Sequence, residues 1–138
     1  MDREEHLLEV LDNLIRIRNE CSGTIFSECG LSDITVKQIA YLKAIGEQRD
    51  VTPGRLVKIT RNSKPTITGM VDKFVLMECV YRERCPDDGR IQYIRLTGKG
   101  QKIAGAEHAA LRQVIERMEH TLDEHELDLL IRILQKVR

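Results

Sequence analysis

Between Asn62 and Glu78 the apolar residues fall at Ile67, Met70, Val71, Phe74 and Val75. That spacing is i, i+3, i+4, i+7, i+8, one stripe of an α-helix. Ser63 is placed to cap the helix, and Pro65 sits in the first turn, where its missing N–H costs nothing. The opposite face carries Lys64, Thr66, Thr68, Gly69 and Lys73, with no carboxylate before Asp72. Such a face offers donors, small hydroxyls and bare backbone, and suits a DNA major groove, where phosphates repel acids and bases present acceptors. It equally describes any amphipathic helix with a solvated face, so the neighbouring elements decide its meaning.

The pattern predicts a helix over 2–20, with Leu7, Leu8, Val10, Leu11, Leu14, Ile15 and Ile17 in a stripe too broad for one contact. Such a helix is covered from two sides, either by its own domain and a partner subunit or within one chain. Residues 21–31, with Gly23, Ser27 and Gly30, read as a break. Ser32 or Asp33 is placed to cap a second helix carrying Ile34, Ile39, Leu42 and Ile45 and ending near Gly46. A very short strand fits at Asp50–Thr52. Thr52-Pro53 opens a third helix as cap plus N1 proline. Its inner side is Leu56, Val57, Ile59 and Thr60, with Arg55 and Lys58 outward. Arg61-Asn62 then turns into Ser63, which gives a helix-turn-helix.

After Glu78 the period changes to two. Cys79–Arg84 and Ile91–Leu96 read as strands joined by the turn Pro86-Asp87-Asp88-Gly89-Arg90. A hairpin placed there is a wing, with Arg84 and Arg90 at its tip and Arg82 nearby. Thr97 caps a long helix reaching about His120, and Asp123 with Glu126 forms a capping box for a last one. Leu127, Leu130, Ile131, Leu134 and Val137 are its stripe. The expected fold is mainly α with a small β wing: a winged helix-turn-helix flanked by long N- and C-terminal helices. Residues 1–30 and 101–138 are the expected dimerisation segments, and 31–100 the DNA-binding domain. The apolar surplus of the outer helices favours a dimer built from both termini.

The whole chain of 138 residues has 22 basic and 22 acidic side chains, hence no global basic footprint. The distribution is uneven. Residues 1–51 hold 6 basic and 10 acidic side chains, residues 52–100 hold 10 and 5, and residues 101–138 hold 6 and 7. A basic middle between acidic ends suggests a nucleic-acid surface. The charged start MDREEHLLEV has no apolar signal core, and no run approaches membrane-spanning length, so a cytoplasmic protein without membrane contact is expected. Cys21, Cys29, Cys79 and Cys85 form no CxxC pair and default to free thiols. His6, His108, His120 and His125 lack tight ligand spacing, so neither a metal nor another cofactor is expected. No nucleophile–base spacing, phosphate-binding glycine loop or paired acidic motif points to an enzyme.

Taken together, Thr52-Pro53, Leu56, Ser63, Thr66, Thr68, Asp72, Val80, Arg82, Arg84, Asp88-Gly89-Arg90 and Leu96-Thr97-x-x-Gly100 resemble the winged helix-turn-helix of the MarR (multiple antibiotic resistance regulator) family. The resemblance implies a homodimeric repressor on a pseudo-palindromic operator in double-stranded DNA. Recognition helices would enter successive major grooves and wing arginines the flanking minor grooves. On that reading Thr66, Thr68 and Lys64 read bases, with Pro65 and Gly69 on the same helix. Ser63, Arg55 and Lys73 hold phosphates, while Arg82, Arg84 and Arg90, the last oriented by Asp88, serve the wing. The family also implies a small-molecule effector or a reactive cysteine. Cys21 and Cys29 are the candidates for a redox trigger, and Cys85 at the wing is expected to be exposed. A thiol-sensing regulator and a winged-helix protein-interaction module are the alternatives. The chain departs from the family where glycine is common, with Arg61 in the helix–helix turn and Glu78 closing the recognition helix. Gly69 stands where a long polar side chain is frequent.

Overall fold

A computed structural model describes residues 2–138; Met1, the first residue of the expected N-terminal segment, lies outside the described residues. Among the described residues there are seven helices and one two-stranded antiparallel sheet, in the order α1 (Arg3–Glu28), α2 (Val36–Glu47), α3 (Pro53–Thr60), α4 (Lys64–Leu76), β1 (Val80–Arg84), β2 (Gln92–Leu96), α5 (Gly98–Ala104), α6 (Ala106–Thr121) and α7 (Glu124–Gln135). This is the mainly α fold with a β wing that the pattern predicts. No described helix is long and apolar enough to cross a membrane. The described residues divide into two compact units, one of residues 25–106 and one of residues 2–24 with 107–138.

In the unit Ile25–Ala106 the core gathers Ile39, Leu42, Ile45, Val51, Leu56, Ile67, Val71, Phe74, Val80, Ile94 and Ile103. These are the inward stripes of α2, α3, α4 and α5 together with one residue from each wing strand and Val51 from the loop between α2 and α3. Thr52 caps α3 by accepting the Arg55 N–H at 3.1 Å, with Pro53 in the first turn. Ser63 caps α4 in the same way. The wing pairs Val80 with Leu96 through Arg84 with Gln92. The short strand expected at Asp50–Thr52 is a single bridge from Val51 to Ile94.

Three boundaries and one burial assignment differ from the sequence reading. The first helix does not break at 21 but runs to Glu28, because Gly23 is tolerated inside it and the stop comes at Gly30, in the left-handed region at φ +71°. There the Leu31 N–H reaches the Phe26 carbonyl at 2.8 Å and the Gly30 N–H the Ser27 carbonyl at 2.9 Å, a Schellman close. Helix α2 is capped by Thr35 rather than Ser32 or Asp33, because only Thr35 has Gln38 three residues on to complete a capping box. The single long helix expected from Thr97 to His120 is two, α5 and α6, interrupted at Gly105. Ile59, assigned to the inner side of α3, is exposed, since the short helix turns only Leu56 fully inward.

The unit formed by the chain ends has a different character. Asp2 and Glu5 cap α1 reciprocally, and Asp123 and Glu126 do the same for α7. Yet α1 leaves Leu7, Leu8, Val10, Leu11 and Ile15 exposed, α6 leaves Leu111 and Ile115, and α7 buries none of its residues.

Candidate nucleic-acid interface

Helix α4 owes its outward face to the same periodicity that buries Ile67, Val71 and Phe74. Lys64, Pro65, Thr66, Thr68, Gly69 and Lys73 are all exposed on the other side. A Cβ built on Gly69 would meet nothing within 4 Å, so the backbone there stands open to a close approach. The Ser63 hydroxyl accepts the Thr66 N–H at 3.3 Å and shares a 2.8 Å hydrogen bond with the Thr66 hydroxyl. Ser63 is thus first a cap and only secondarily a polar contact. The one carboxylate on this face, Asp72, is ion-paired to Arg82 of β1, so its charge is offset at source. That pair also joins the wing to α4.

Both ends of α4 are held in left-handed backbone by residues other than glycine. Arg61 ends α3 at φ 57°, and Glu78 follows α4 at φ 60°. At Glu78 the geometry is again a Schellman close: the Cys79 N–H reaches the Phe74 carbonyl at 2.9 Å and the Glu78 N–H the Val75 carbonyl at 3.0 Å. Asn62 donates to the Tyr41 hydroxyl at 2.6 Å, tying the turn before α4 to α2.

At the wing tip Asp88 takes three hydrogen bonds from Arg90, from its backbone N–H at 3.0 Å and from Nε and Nη2 at 3.1 Å each. The Arg90 side chain is 91% exposed and that of Asp88 only 34%. The carboxylate is the anchor and the guanidinium the projecting group. This pairing holds the Asp88 carboxyl below the usual carboxylate range and keeps Arg90 more firmly protonated. Arg84 is exposed beside it, its stem 3.4 Å from where a Cβ on Gly89 would stand.

Sequence reasoning passed over three features. Lys58, read as outward but not counted among the site residues, and Arg61 are exposed and continue the row of Arg55 at intervals of three. Gly100 carries a steric necessity: a Cβ there would lie 2.0 Å from the Cys79 carbonyl oxygen. Beside it the Thr97 hydroxyl donates to the Glu78 carbonyl at 2.6 Å and accepts the Gly100 N–H at 3.0 Å. The Leu-Thr-x-x-Gly run is therefore the joint that locks the close of α4 to the start of α5. Arg95 is bound to Asp50, Glu83 and the Arg49 carbonyl.

The cysteines are dispersed. Cys21 lies within α1 and Cys29 just after its end, and both are free thiols. Cys29 is half-buried against the core. Burial pushes the Cys79 thiol up. Cys85, expected to be exposed, is buried at 8%. The hairpin folds over it: Tyr93 donates its hydroxyl to the sulfur at 3.5 Å, and this bond, with the backbone N–H groups of Asp88 and Asp87, holds the thiol below its ordinary pKa. Among the described residues no three His, Cys, Asp or Glu side chains gather as a metal site.

The MarR family model matches residues 32–91, which run from just before α2 through the wing turn. These residues belong to the MarR family. The left-handed Arg61 and Glu78 occupy the two positions at which MarR proteins commonly carry glycine, so the geometry is kept where the residue is not. Transcriptional regulator HosA of Escherichia coli O111:H- is 27% identical over 107 residues, covering 78% of this chain and 79% of HosA. The S. aureus MepR structure bound to ethidium bromide superimposes with a TM-score of 0.74 at 18% identity, covering 99% of this chain and 94% of MepR. The S. aureus MepR–DNA complex does so with 0.70 at 19% identity and 96% coverage of both chains. These structural likenesses are of fold, and they extend the MarR architecture over nearly the whole chain. The matched segment and the HosA relative are both those of MarR-family transcriptional regulators.

Proposed function

We propose that the protein is a homodimeric repressor that binds a pseudo-palindromic site in duplex DNA and releases it in response to a small molecule. The observation that carries this is the pairing of an exposed, cation- and hydroxyl-bearing α4 face with a wing tip whose Arg90 is held outward by a three-bond Asp88 anchor. Thr66, Thr68 and Lys64 read base edges, and Gly69 lets the backbone approach. Arg55, Lys58, Arg61 and Lys73 hold phosphates, with Ser63 and Pro65 fixing the angle at which α4 starts. Arg90, with Arg84, enters the flanking minor groove, where a narrow A·T-rich segment concentrates negative potential. Arg82 acts through Asp72 to keep the wing on α4.

Residues 31–100 bind DNA and residues 1–30 and 101–138 dimerise. The exposed apolar stripes of α1, α6 and α7 support dimerisation, since apolar surface of this extent marks an interface. MepR supports both ends of the reading, with one structure bound to DNA and another to ethidium. A dimer seated on an operator represses by occluding it, in the cytoplasm where the DNA is.

Binding selection from random duplex DNA, followed by salt titration on the winning sequence, tests this. The expected product is an inverted repeat with half-sites about one helical turn apart and an affinity that falls steeply with salt. No enrichment, or an affinity indifferent to salt, would contradict it.

A further inference from the structure

Ten basic residues fall within 52–100, and charge alone would send Arg95 to DNA with the rest. The structure employs it otherwise. Nη2 donates to Asp50 Oδ1 at 2.9 Å, Nη1 to the Arg49 carbonyl at 2.9 Å, and Nε to Glu83. The guanidinium also lies over the Tyr93 ring, 5.1 Å from its centroid. One planar fork thereby ties β2 to β1 and to the loop between α2 and α3. One residue earlier, the Ile94 N–H donates to the Val51 carbonyl at 2.7 Å. The returning strand is fastened to that loop at two consecutive residues, once by backbone and once by side chain.

The contacts continue from Tyr93 to the tip. Its hydroxyl donates to the Cys85 sulfur at 3.5 Å, the Cys85 N–H reaches the Ile91 carbonyl at 2.9 Å, the Ile91 N–H reaches the Asp88 carbonyl at 3.0 Å, and Asp88 anchors Arg90. We propose that Arg95 is a positioning residue for DNA binding, seating the wing on the α2–α3 loop and, through Tyr93 and Cys85, aiming Arg90. The inference rests on the DNA-binding reading above. It makes Asp50 and Glu83 contributors to affinity although both are acids in a module that binds a polyanion.

That gives a test by sign. Bulk electrostatics requires Glu83→Gln, which removes a negative charge, to tighten DNA binding. The bracket requires it to weaken binding about threefold, and Arg95→Ala to weaken it about tenfold. The measurement is affinity for the selected duplex at one salt concentration, for parent, Glu83→Gln, Arg95→Ala, Arg90→Ala and the Arg95→Ala/Arg90→Ala double variant. A double variant no more than about twofold weaker than Arg90→Ala alone supports the assignment, because a misdirected Arg90 has little left to lose. Losses that multiply, or a Glu83→Gln variant that binds more tightly, overturn it. A salt slope that falls by about one further when Arg95→Ala is added to Arg90→Ala would also overturn it, since with Arg90 already absent that is the mark of a direct phosphate contact by Arg95. Should Arg95→Ala fail to fold, the sign of the Glu83→Gln effect decides alone. A parent that binds no duplex would bring down the DNA-binding reading itself, whereas a binding parent with the wrong signs brings down only Arg95.

Discussion

Phe74 and Leu134 are both large apolar residues on amphipathic helices, and the structure treats them oppositely. Phe74 is fully buried, and Leu134 is 57% exposed. The contrast holds across their surroundings. The stripe of α4 meets α2, α3 and the wing inside the unit Ile25–Ala106, which closes its own core. The stripes of α1, α6 and α7 leave large aliphatic side chains in water. Helical periodicity thus produces a packed interior in one region and an open apolar face in the other. Periodicity states which side of a helix is to be covered; how much covering surface the rest of the chain supplies is a separate matter.

The largest expected effect lies on the closed side. Phe74→Ala should lower the unfolding free energy by about 3–5 kcal/mol, because a fully buried aromatic leaves a cavity. Urea denaturation measures it, and a loss under about 1 kcal/mol would show that α4 is not packed as described. On the open side, Leu134→Asp should act on assembly rather than on the winged module. It should weaken self-association by about 2 kcal/mol, near 30-fold in the dimer dissociation constant. Sedimentation equilibrium reads this directly, and an unchanged association constant would remove α7 from the interface. A smaller effect, of opposite sign, is expected where the two left-handed residues close the helices. Glu78→Gly should raise stability by about 1 kcal/mol, since glycine adopts φ 60° without steric cost. A destabilised variant would mean that the Glu78 side chain contributes more than its backbone strain costs.

The smallest effect concerns pH. The folded Asp88 carboxyl is depressed by its bonds from Arg90. Its contribution is present above the ordinary carboxylate value and is lost as pH falls through the lowered folded value, below about pH 4. Asp88→Asn should flatten the acid limb of a melting-temperature profile slightly. Identical acid limbs for parent and variant would show that the pair is not formed in solution.

The sequence disclosed what depends on local chemistry. The caps at Thr52, Ser63, Thr97 and Asp123, the change of period at Glu78 and the Asp88–Arg90 pairing all rest on residues close together in the chain, and each is where the spacing put it. What escaped depends on distant partners. Nothing local to Arg95 announces Asp50, 45 residues earlier. Gly100 reads as an ordinary helix-start glycine until the Cys79 carbonyl is placed against it. Gly23 and Gly105 look alike in sequence, yet α1 passes through the first while the second separates α5 from α6. Cys85 seemed exposed because a two-residue period says nothing of a tyrosine across the hairpin. Arg61 and Glu78 are instructive in another way. They departed from the MarR pattern by residue type but keep its backbone, so the departure signals a stability cost rather than a change of fold.

The central claim is that α4 reads base identity and that Arg90 anchors the wing by groove shape. Affinity of the parent, Thr66→Ala, Thr68→Ala and Arg90→Ala against a panel of single-base variants of the selected site tests it most directly. The account predicts that the threonine variants change which bases are preferred within the half-sites. Arg90→Ala should instead lose about 1–3 kcal/mol with its greatest effect at A·T-rich flanks. Threonine variants that keep the parental base preference, together with an Arg90→Ala variant that binds as tightly as the parent, would contradict it.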